Sequence, residues 1–248
     1  MDYHQFRDAL KNLLPCWLFF FCGYIYFQSR FFFYEGLFLG RVIDSFRLNQ
    51  ATRSRHNVNV QIGTGFSPKN AWLNTDYCPR NFSTYHLNAL RSFPFQTSSI
   101  DHYYTEHQLE HFSLEQGVFM LKEILRTLKP DGKIRISVPG LEKEIAMYQT
   151  EISKQESAFY DNIKLRSGRM FDGDKSLNLF TRGIAFNEGF YCHGHCFIYD
   201  YETLSEILKK IGFINVCESE FNESDIPVFR GIDSRDNSLI VEAQKPSF

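Results

Sequence analysis

The sequence predicts an α/β fold in which a sheet is covered by helices on both faces, preceded by an aromatic-rich helical segment. Two observations support this prediction. Short apolar runs alternate with segments of helical periodicity from residue 58 onward, and the chain closes with two further strand patterns. A third observation separates the N-terminus, because ten of the 26 Phe fall within the first 46 residues.

Composition excludes several classes of protein. The 248 residues are 43% hydrophobic and 23% charged, which is typical of a globular chain and not of a disordered one. The formal net charge of -2 argues against a strongly basic nucleic-acid-binding protein, so we expect no nucleic-acid partner. Six Cys are too few for a disulfide scaffold, and we expect a reducing, cytoplasmic environment.

The first 55 residues are predicted to form a separate hydrophobic segment and linker, followed by one domain over residues 56–248. Residues 13–27 carry no charge, but this run is shorter than the roughly 20 residues of a spanning helix. Three interpretations stay open for residues 13–40: a short or tilted membrane helix, a segment in the membrane interface, or a helix packed on protein. The polar run 49–57 has the composition of a linker.

Six strands are predicted from short apolar runs. They cover residues 58–62, 71–75, 100–104, 133–138, 213–221 and 238–244. Helical spacing of apolar residues predicts helices over residues 115–128, 141–165 and 201–210. Lys129-Pro130-Asp131-Gly132 should stop the first of these helices, and Gly212 should cap the last. Residues 166–195 show no clear pattern and are expected to form a lid or substrate loop.

The ends of the first two predicted strands suggest a nucleoside site. Gly63-Thr64-Gly65 allows close approach of a ligand to the backbone, and Asp76 can accept hydrogen bonds from two ribose hydroxyls. A dinucleotide site would need a third Gly where Pro68 stands, and about twenty residues before the acid instead of thirteen. A pyrophosphate cofactor such as NAD, and with it a nucleotide-dependent oxidoreductase, is therefore disfavoured.

Residues 58–248 resemble class I S-adenosylmethionine-dependent methyltransferases of the methyltransferase type 11 group. The resemblance lies in an ordered series of motifs: a G-x-G-x(6)-W-x-N-x-D-x-x-P loop at 63–79, Phe-Pro-Phe at 93–95, His-Gln-Leu-Glu-His at 107–111, and the Lys-Pro-Asp-Gly turn. The C-terminal YDYETLSEILKKIGF and the strand before Lys245-Pro246 extend it. The resemblance implies a Rossmann-like sheet with an antiparallel C-terminal strand.

The resemblance also implies S-adenosylmethionine as the cofactor. Its binding residues would be Gly63, Thr64 and Gly65 around the methionine portion, Asp76 and Tyr77 at the ribose, Asn88 and Ala89 at the adenine, and Glu106 at the rim. Many relatives carry Asp near position 88, and the Asn88 amide oxygen can accept the same hydrogen bond.

Three histidines are candidate catalytic residues. His107 follows the third predicted strand, on the same rim as the Gly loop, and is the preferred general base because imidazole titrates near neutral pH. His111 lies one helical turn later, and His195 could reach the site from the lid. An alternative of equal weight to catalysis is that Glu110 and His111 brace the end of the strand or orient the loop.

No metal is expected. Cys192-His193-Gly194-His195-Cys196 holds four potential ligands, but zinc sites usually combine two such ligand pairs from different parts of the chain. The outside candidates, Cys78 and Cys217, do not belong to a C-x(2–4)-C pair in the sequence. We therefore expect methyl transfer from S-adenosylmethionine to a small-molecule or glycan acceptor. The alternative is a degenerate methyltransferase-like domain that acts as a binding or interaction module.

Overall fold

A computed structural model of the protein describes residues 39–80, 83–149 and 181–247, which contain a seven-stranded mixed sheet. Its strands are β1 Asn59–Ile62, β2 Leu73–Asp76, β3 Thr84–His86, β4 Ile100–Glu106, β5 Leu128–Pro139, β6 Ile214–Glu218 and β7 Ser238–Gln244. They lie in the order β3-β2-β1-β4-β5-β7-β6. The predicted α/β fold with an antiparallel C-terminal strand is confirmed.

The helices follow the same alternation. They are α1 Leu39–Arg53, α2 Leu114–Thr127, α3 Leu141–Gln149, α4 Arg182–Tyr191 and α5 Tyr201–Ile211. Among the residues that the structure describes, short 3₁₀ turns lie at Leu109–His111, Cys192–Gly194 and Pro227–Phe229.

The strand order of the sheet reverses beside β1. Strand β1 pairs in parallel with β2 on one side and with β4 on the other, so that Val60 lies opposite both Leu73 and Tyr103. Pairing becomes antiparallel only where β7 joins β5 and β6. In such sheets a ligand crevice lies beyond the carboxyl ends of the strands at the point of reversal, which here is the edge where β1, β2 and β4 end.

The two faces of the sheet carry separate cores. Consecutive strand residues point to opposite faces, and Tyr103 and Tyr104 are both fully buried in different clusters. The larger cluster joins strand residues to helix residues such as Leu121 of α2 and Leu204 of α5. On the other face, Trp72 packs in a cluster with Tyr104, Phe229 and Ile232, so the segment before β7 covers this side.

Local sequence signals define the helix ends that were predicted. The Ser113 side chain accepts a hydrogen bond from the Gln116 backbone and the Gln116 side chain accepts one from the Ser113 backbone, which forms a capping box at α2. Gly212 ends α5 with a left-handed φ of 116°. Within Lys-Pro-Asp-Gly, which lies at the start of β5 in the structure, Asp131 takes a φ of 62°, a conformation that Asp tolerates better than most residues.

Three predictions of local structure differ from the structure. Residues 49–53 of the expected linker belong to α1, which packs on the sheet through Leu48 and through Asp44, whose Oδ2 accepts a hydrogen bond from the His86 backbone N–H of β3. Strand β3 was not predicted at all. Residues 182–191, expected to be irregular, form α4.

Most of the N-terminal segment and half of the expected lid lie outside the described residues, as does the predicted helix beyond residue 149. Membrane contact through residues 13–40 and the division at residue 55 therefore stay predictions. Within the part of the chain that the structure describes, no helix is both long enough and apolar enough to cross a membrane.

Candidate functional site

Two adjoining cavities lie at the carboxyl ends of β1, β2 and β4. The first, here called the apolar cavity, has a volume of about 350 Å³ and is walled by Ile62, Leu87, Ala89, Leu90 and Phe112 among others. The second, the polar cavity, has about 210 Å³ and is bordered by Gly65, Asp76, Glu106, His107, His111 and Arg235 among others. Gly63 and Gln108 line both cavities, so the two cavities adjoin at these residues.

The Gly loop is held to the end of β2 by backbone hydrogen bonds. The N–H groups of Gly63 and Thr64 donate to the Thr75 carbonyl over 3.0 and 3.1 Å. Gly63 and Gly65 have φ values of 73° and 54°, which residues with a Cβ rarely adopt. The Thr64 hydroxyl also donates to the Thr75 carbonyl, which holds this side chain against the end of β2.

Asp76 closes the loop from the neighbouring strand. Its Oδ2 accepts a hydrogen bond from the Gly65 N–H over 2.8 Å, and its Oδ1 accepts one from the Cys78 N–H over 2.8 Å. Each carboxylate oxygen has a second lone pair, so the group can still accept from two vicinal hydroxyls. Tyr77, which follows it, lines the apolar cavity.

The predicted adenine-binding residues lie in the apolar cavity. Asn88 and Ala89 both line it, in the segment that precedes Phe-Pro-Phe, as the resemblance implied. The Asn88 Oδ1 accepts a hydrogen bond from the Leu90 N–H over 2.9 Å. Phe93 and Phe95 themselves are buried in the core.

Glu106 has a clear structural contact besides its place in the polar cavity. Its Oε1 accepts hydrogen bonds from the backbone N–H groups of Ser234 and Arg235, over 2.6 and 3.1 Å. The carboxylate therefore holds the loop before β7 against the site. Contact between Glu106 and the cofactor stays a prediction.

The structure brings the three candidate histidines together. His107 and His111 line the polar cavity, and the ring of His195 lies 5.1 Å from that of His111, centroid to centroid. The His107 Nε2 forms a 2.8 Å hydrogen bond with the Ser238 hydroxyl, and its Nδ1 lies 3.4 Å from Glu110 Oε1. The fold thus gathers histidines from two distant parts of the chain beside the polar cavity.

Burial shifts the pKa values of His107, Glu110 and His111. Burial, followed by the positive charge of Arg235, lowers the pKa of His107 to about 3, so its imidazole is neutral at pH 7. Burial likewise raises the pKa of Glu110 to about 8 and lowers the pKa of His111. A neutral His107 can accept a proton, but it is a weak base, and its bond to Ser238 suits a role in positioning as well.

Two residues of the site were not predicted from the sequence. Gln108 lies over Gly63, where an added Cβ would come within 2.2 Å of the Gln108 Oε1. The sequence signal that could have identified Gln108 is its position between His107 and His111 in the His-Gln-Leu-Glu-His motif. Arg235 reaches the polar cavity from the loop before β7, and no local pattern marks it.

Residues 51–136 match the family model described as a methyltransferase domain. The match includes the Gly loop, Asp76, Asn88 and the His-Gln-Leu-Glu-His block. Comparison with curated proteins gives no match.

Several solved structures are similar in fold. Phosphoethanolamine N-methyltransferase 2 of Haemonchus contortus, in a complex with S-adenosyl-L-methionine, is 14% identical with a TM-score of 0.41, over 77% of this chain and 49% of the other. CurJ carbon methyltransferase is 13% identical with a TM-score of 0.42, over 78% and 50%. A SAM-dependent methyltransferase from Archaeoglobus fulgidus is 14% identical with a TM-score of 0.44, over 89% and 99%.

The chain spans about half the length of the first two of these proteins. Likenesses of this extent carry no information about the acceptor. The strand order and the match over residues 51–136 together confirm the predicted resemblance to class I S-adenosylmethionine-dependent methyltransferases.

Proposed function

We propose that the protein binds S-adenosylmethionine along the two adjoining cavities and transfers its methyl group to an acceptor. The observation that carries this proposal is the hydrogen bond between the Asp76 carboxylate and the Gly65 N–H, which puts an acceptor suited to ribose hydroxyls beside a glycine backbone. Two adjoining cavities, one apolar and one polar, suit a cofactor made of a nucleoside and an amino acid.

We assign the parts of the cofactor to the two cavities from the chemistry of their lining residues. The adenine lies in the apolar cavity, where the Asn88 amide oxygen accepts from its amino group. The ribose hydroxyls are held by Asp76, and the methionine portion passes Gly63 into the polar cavity. There the Arg235 guanidinium supplies a positive charge for the methionine carboxylate.

Methyl transfer then takes place at the wall formed by His107 and His111. The acceptor's nucleophilic atom forms a bond to the methyl carbon as the bond from sulfur breaks, which leaves neutral S-adenosylhomocysteine and an acceptor that has lost one proton. Alignment of the two reacting atoms supplies most of the catalysis in such a step. We assign transient acceptance of this proton to the neutral imidazole of His107, which lines the polar cavity and then releases the proton to solvent.

We further propose that the acceptor is a small molecule or a glycan. The net charge of -2 disfavours nucleic acid, and relatives with the same Gly-loop motif support this class only by analogy.

Calorimetric titration with S-adenosylmethionine and S-adenosylhomocysteine tests the cofactor assignment. One equivalent of either should bind with micromolar affinity, about -8 kcal/mol. Absence of binding at millimolar concentration would leave the degenerate binding module as the better account. Where an acceptor panel yields S-adenosylhomocysteine release, His107→Gln should lower turnover and leave cofactor affinity unchanged, and an unaffected turnover would remove His107 from the reaction.

A further inference from the structure

Three side chains beside the polar cavity form a compact group of metal-ligand type. Glu110, His111 and His195 each offer one ligand atom, and these atoms all lie within 4.8 Å of one another. Two of the residues come from the turn after β4 and the third from a segment more than eighty positions later in the chain. The group is therefore a product of the fold, and it takes only His195 from the Cys-His-Gly-His-Cys pattern.

The Glu110 carboxyl is buried and lacks the hydrogen-bond donors that such a group normally has, as far as the described residues show. The residue has no exposed surface, and neither Oε1 nor Oε2 has a hydrogen-bond partner there. The nearest nitrogens are His107 Nδ1 at 3.4 Å and His111 Nε2 at 4.0 Å. Buried carboxyl oxygens are almost always paired or bound to a cation, so this one lacks an expected partner.

Both histidines are oriented as metal ligands are. The His195 Nδ1 lies 2.7 Å from the Gly189 carbonyl oxygen, and the His111 Nδ1 lies 3.3 Å from that of Gly194. A carbonyl oxygen can only accept, so each Nδ1 carries the hydrogen and each Nε2 keeps its lone pair. A backbone carbonyl behind the imidazole is the usual support of a metal-bound histidine.

Backbone hydrogen bonds hold the two parts of the group together. The N–H groups of Cys196 and Phe197 both donate to the Glu110 carbonyl, over 2.7 and 3.1 Å. These bonds fix the segment that carries His195 against the turn that carries Glu110 and His111. The backbone segments that carry the three side chains are therefore held against each other.

We propose that Glu110, His111 and His195 bind one divalent transition-metal ion of the zinc type. Two imidazoles and one carboxylate are a ligand set of catalytic zinc and of non-haem iron, whereas magnesium and calcium prefer oxygen ligands. Bonds of about 2.0–2.2 Å would draw the three atoms slightly inward. Three protein ligands leave a coordination position open.

The open coordination position of the metal would lie beside the site of the proposed reaction. His111 lines the polar cavity, so the ion would lie at its wall and could take an oxygen atom of the acceptor. This role rests on the proposed methyl transfer, but metal binding itself does not.

Titration of metal-stripped protein with Zn²⁺ and with Co²⁺ tests the site. One equivalent should bind, the melting temperature should rise, and Co²⁺ should give visible absorption bands of a low-symmetry site. Glu110→Gln and His195→Ala should each weaken binding by about 100-fold or more, since removal of a ligand exceeds the effect of a supporting residue. Circular dichroism verifies that both variants are folded.

Cys196→Ser is the matched control, because Cys196 is exposed and adjoins His195 in the sequence. It should bind both ions like the unaltered protein. Absence of saturable binding, retained affinity in His195→Ala, or loss of affinity in Cys196→Ser would each overturn the proposal. S-adenosylhomocysteine binding by the metal-stripped protein is measured alongside, so a failed metal site is distinguished from a failed cofactor site.

Discussion

The carboxylate of Asp76 accepts a hydrogen bond from the backbone N–H of Gly65 over 2.8 Å, which joins the end of β2 to the loop after β1. One side chain thereby shapes the Gly loop and offers lone pairs to a ribose. The loop and the acid are coupled, so a change at Asp76 acts on both.

Replacement of Asp76 should weaken binding of S-adenosylhomocysteine. Asp76→Ala removes charge-assisted hydrogen bonds to the ribose and should cost roughly 10- to 100-fold in affinity by calorimetry. Asp76→Asn keeps an acceptor for the Gly65 N–H and should lose less. Asp225→Ala, at an exposed Asp in the loop before β7, is the control. An unchanged affinity in Asp76→Ala would show that the ribose lies elsewhere.

The two glycines of the loop should respond differently to a methyl group. Both have positive φ, but a Cβ at Gly63 would come within 2.2 Å of Gln108 Oε1, whereas a Cβ at Gly65 meets no atom within 4 Å. Gly63→Ala should therefore lower cofactor affinity about tenfold more than Gly65→Ala does. Adding Gln108→Ala to Gly63→Ala should recover part of the loss. Equal losses in the two single variants would contradict the close approach of Gln108.

Glu123 on α2 should stabilise the protein in a pH-dependent way. Its carboxylate accepts from Arg126 and from the Phe93 N–H, and the hydrogen bonds from Arg126 hold the pKa of Glu123 below its ordinary value. A lowered pKa in the folded state means that the stabilisation is present above the unfolded pKa and is lost as the pH falls through the folded one.

Glu123→Gln should lower the free energy of unfolding at pH 7 by about 1 kcal/mol, a value that allows for solvent screening. The difference from the unaltered protein should shrink as the pH falls from about 5 to 3. Urea unfolding at several pH values measures it, and Glu115→Gln, at an exposed Glu on the same helix, should show little such dependence. A difference that grows on acidification would contradict a lowered pKa of Glu123 in the folded protein.

Asp233 should be among the most sensitive residues for stability. It forms a buried ion pair with Arg135, accepts from the Asn222 N–H over 2.7 Å, and both charged side chains have no exposed surface. Asp233→Ala removes one of the two carboxylates that contact the guanidinium, leaving Glu242 and the neutral oxygens of Ser219, Glu220 and Glu223. It should lower the free energy of unfolding by about 3–5 kcal/mol.

The exposed pair of Glu206 and Lys209 provides the comparison for Asp233. Glu206→Gln should change the free energy of unfolding by about 1 kcal/mol or less. Urea unfolding at pH 7 measures both variants. A loss at Asp233 as small as that at Glu206 would mean that the buried pair contributes little.

Elements with a strong local pattern were predicted well from the sequence. Strand β7 was predicted over its full extent, and α5 was predicted to end at Gly212, because apolar periodicity and a left-handed cap are local properties. Strand β3, with three residues, was missed because only its pairing with β2 makes it a strand. Helix α1 has a polar sequence and is supported by its packing on β3.

The α/β class, the Gly loop with Asp76 and the resemblance to methyltransferases could all be predicted from the sequence, because each depends on residues near one another in the chain. Three contacts of the site became known from the folded chain alone: Gln108 lies over Gly63, Arg235 reaches the polar cavity, and His195 meets Glu110 and His111. Their distances follow from how loops of different strands pack against one another, which no local pattern specifies.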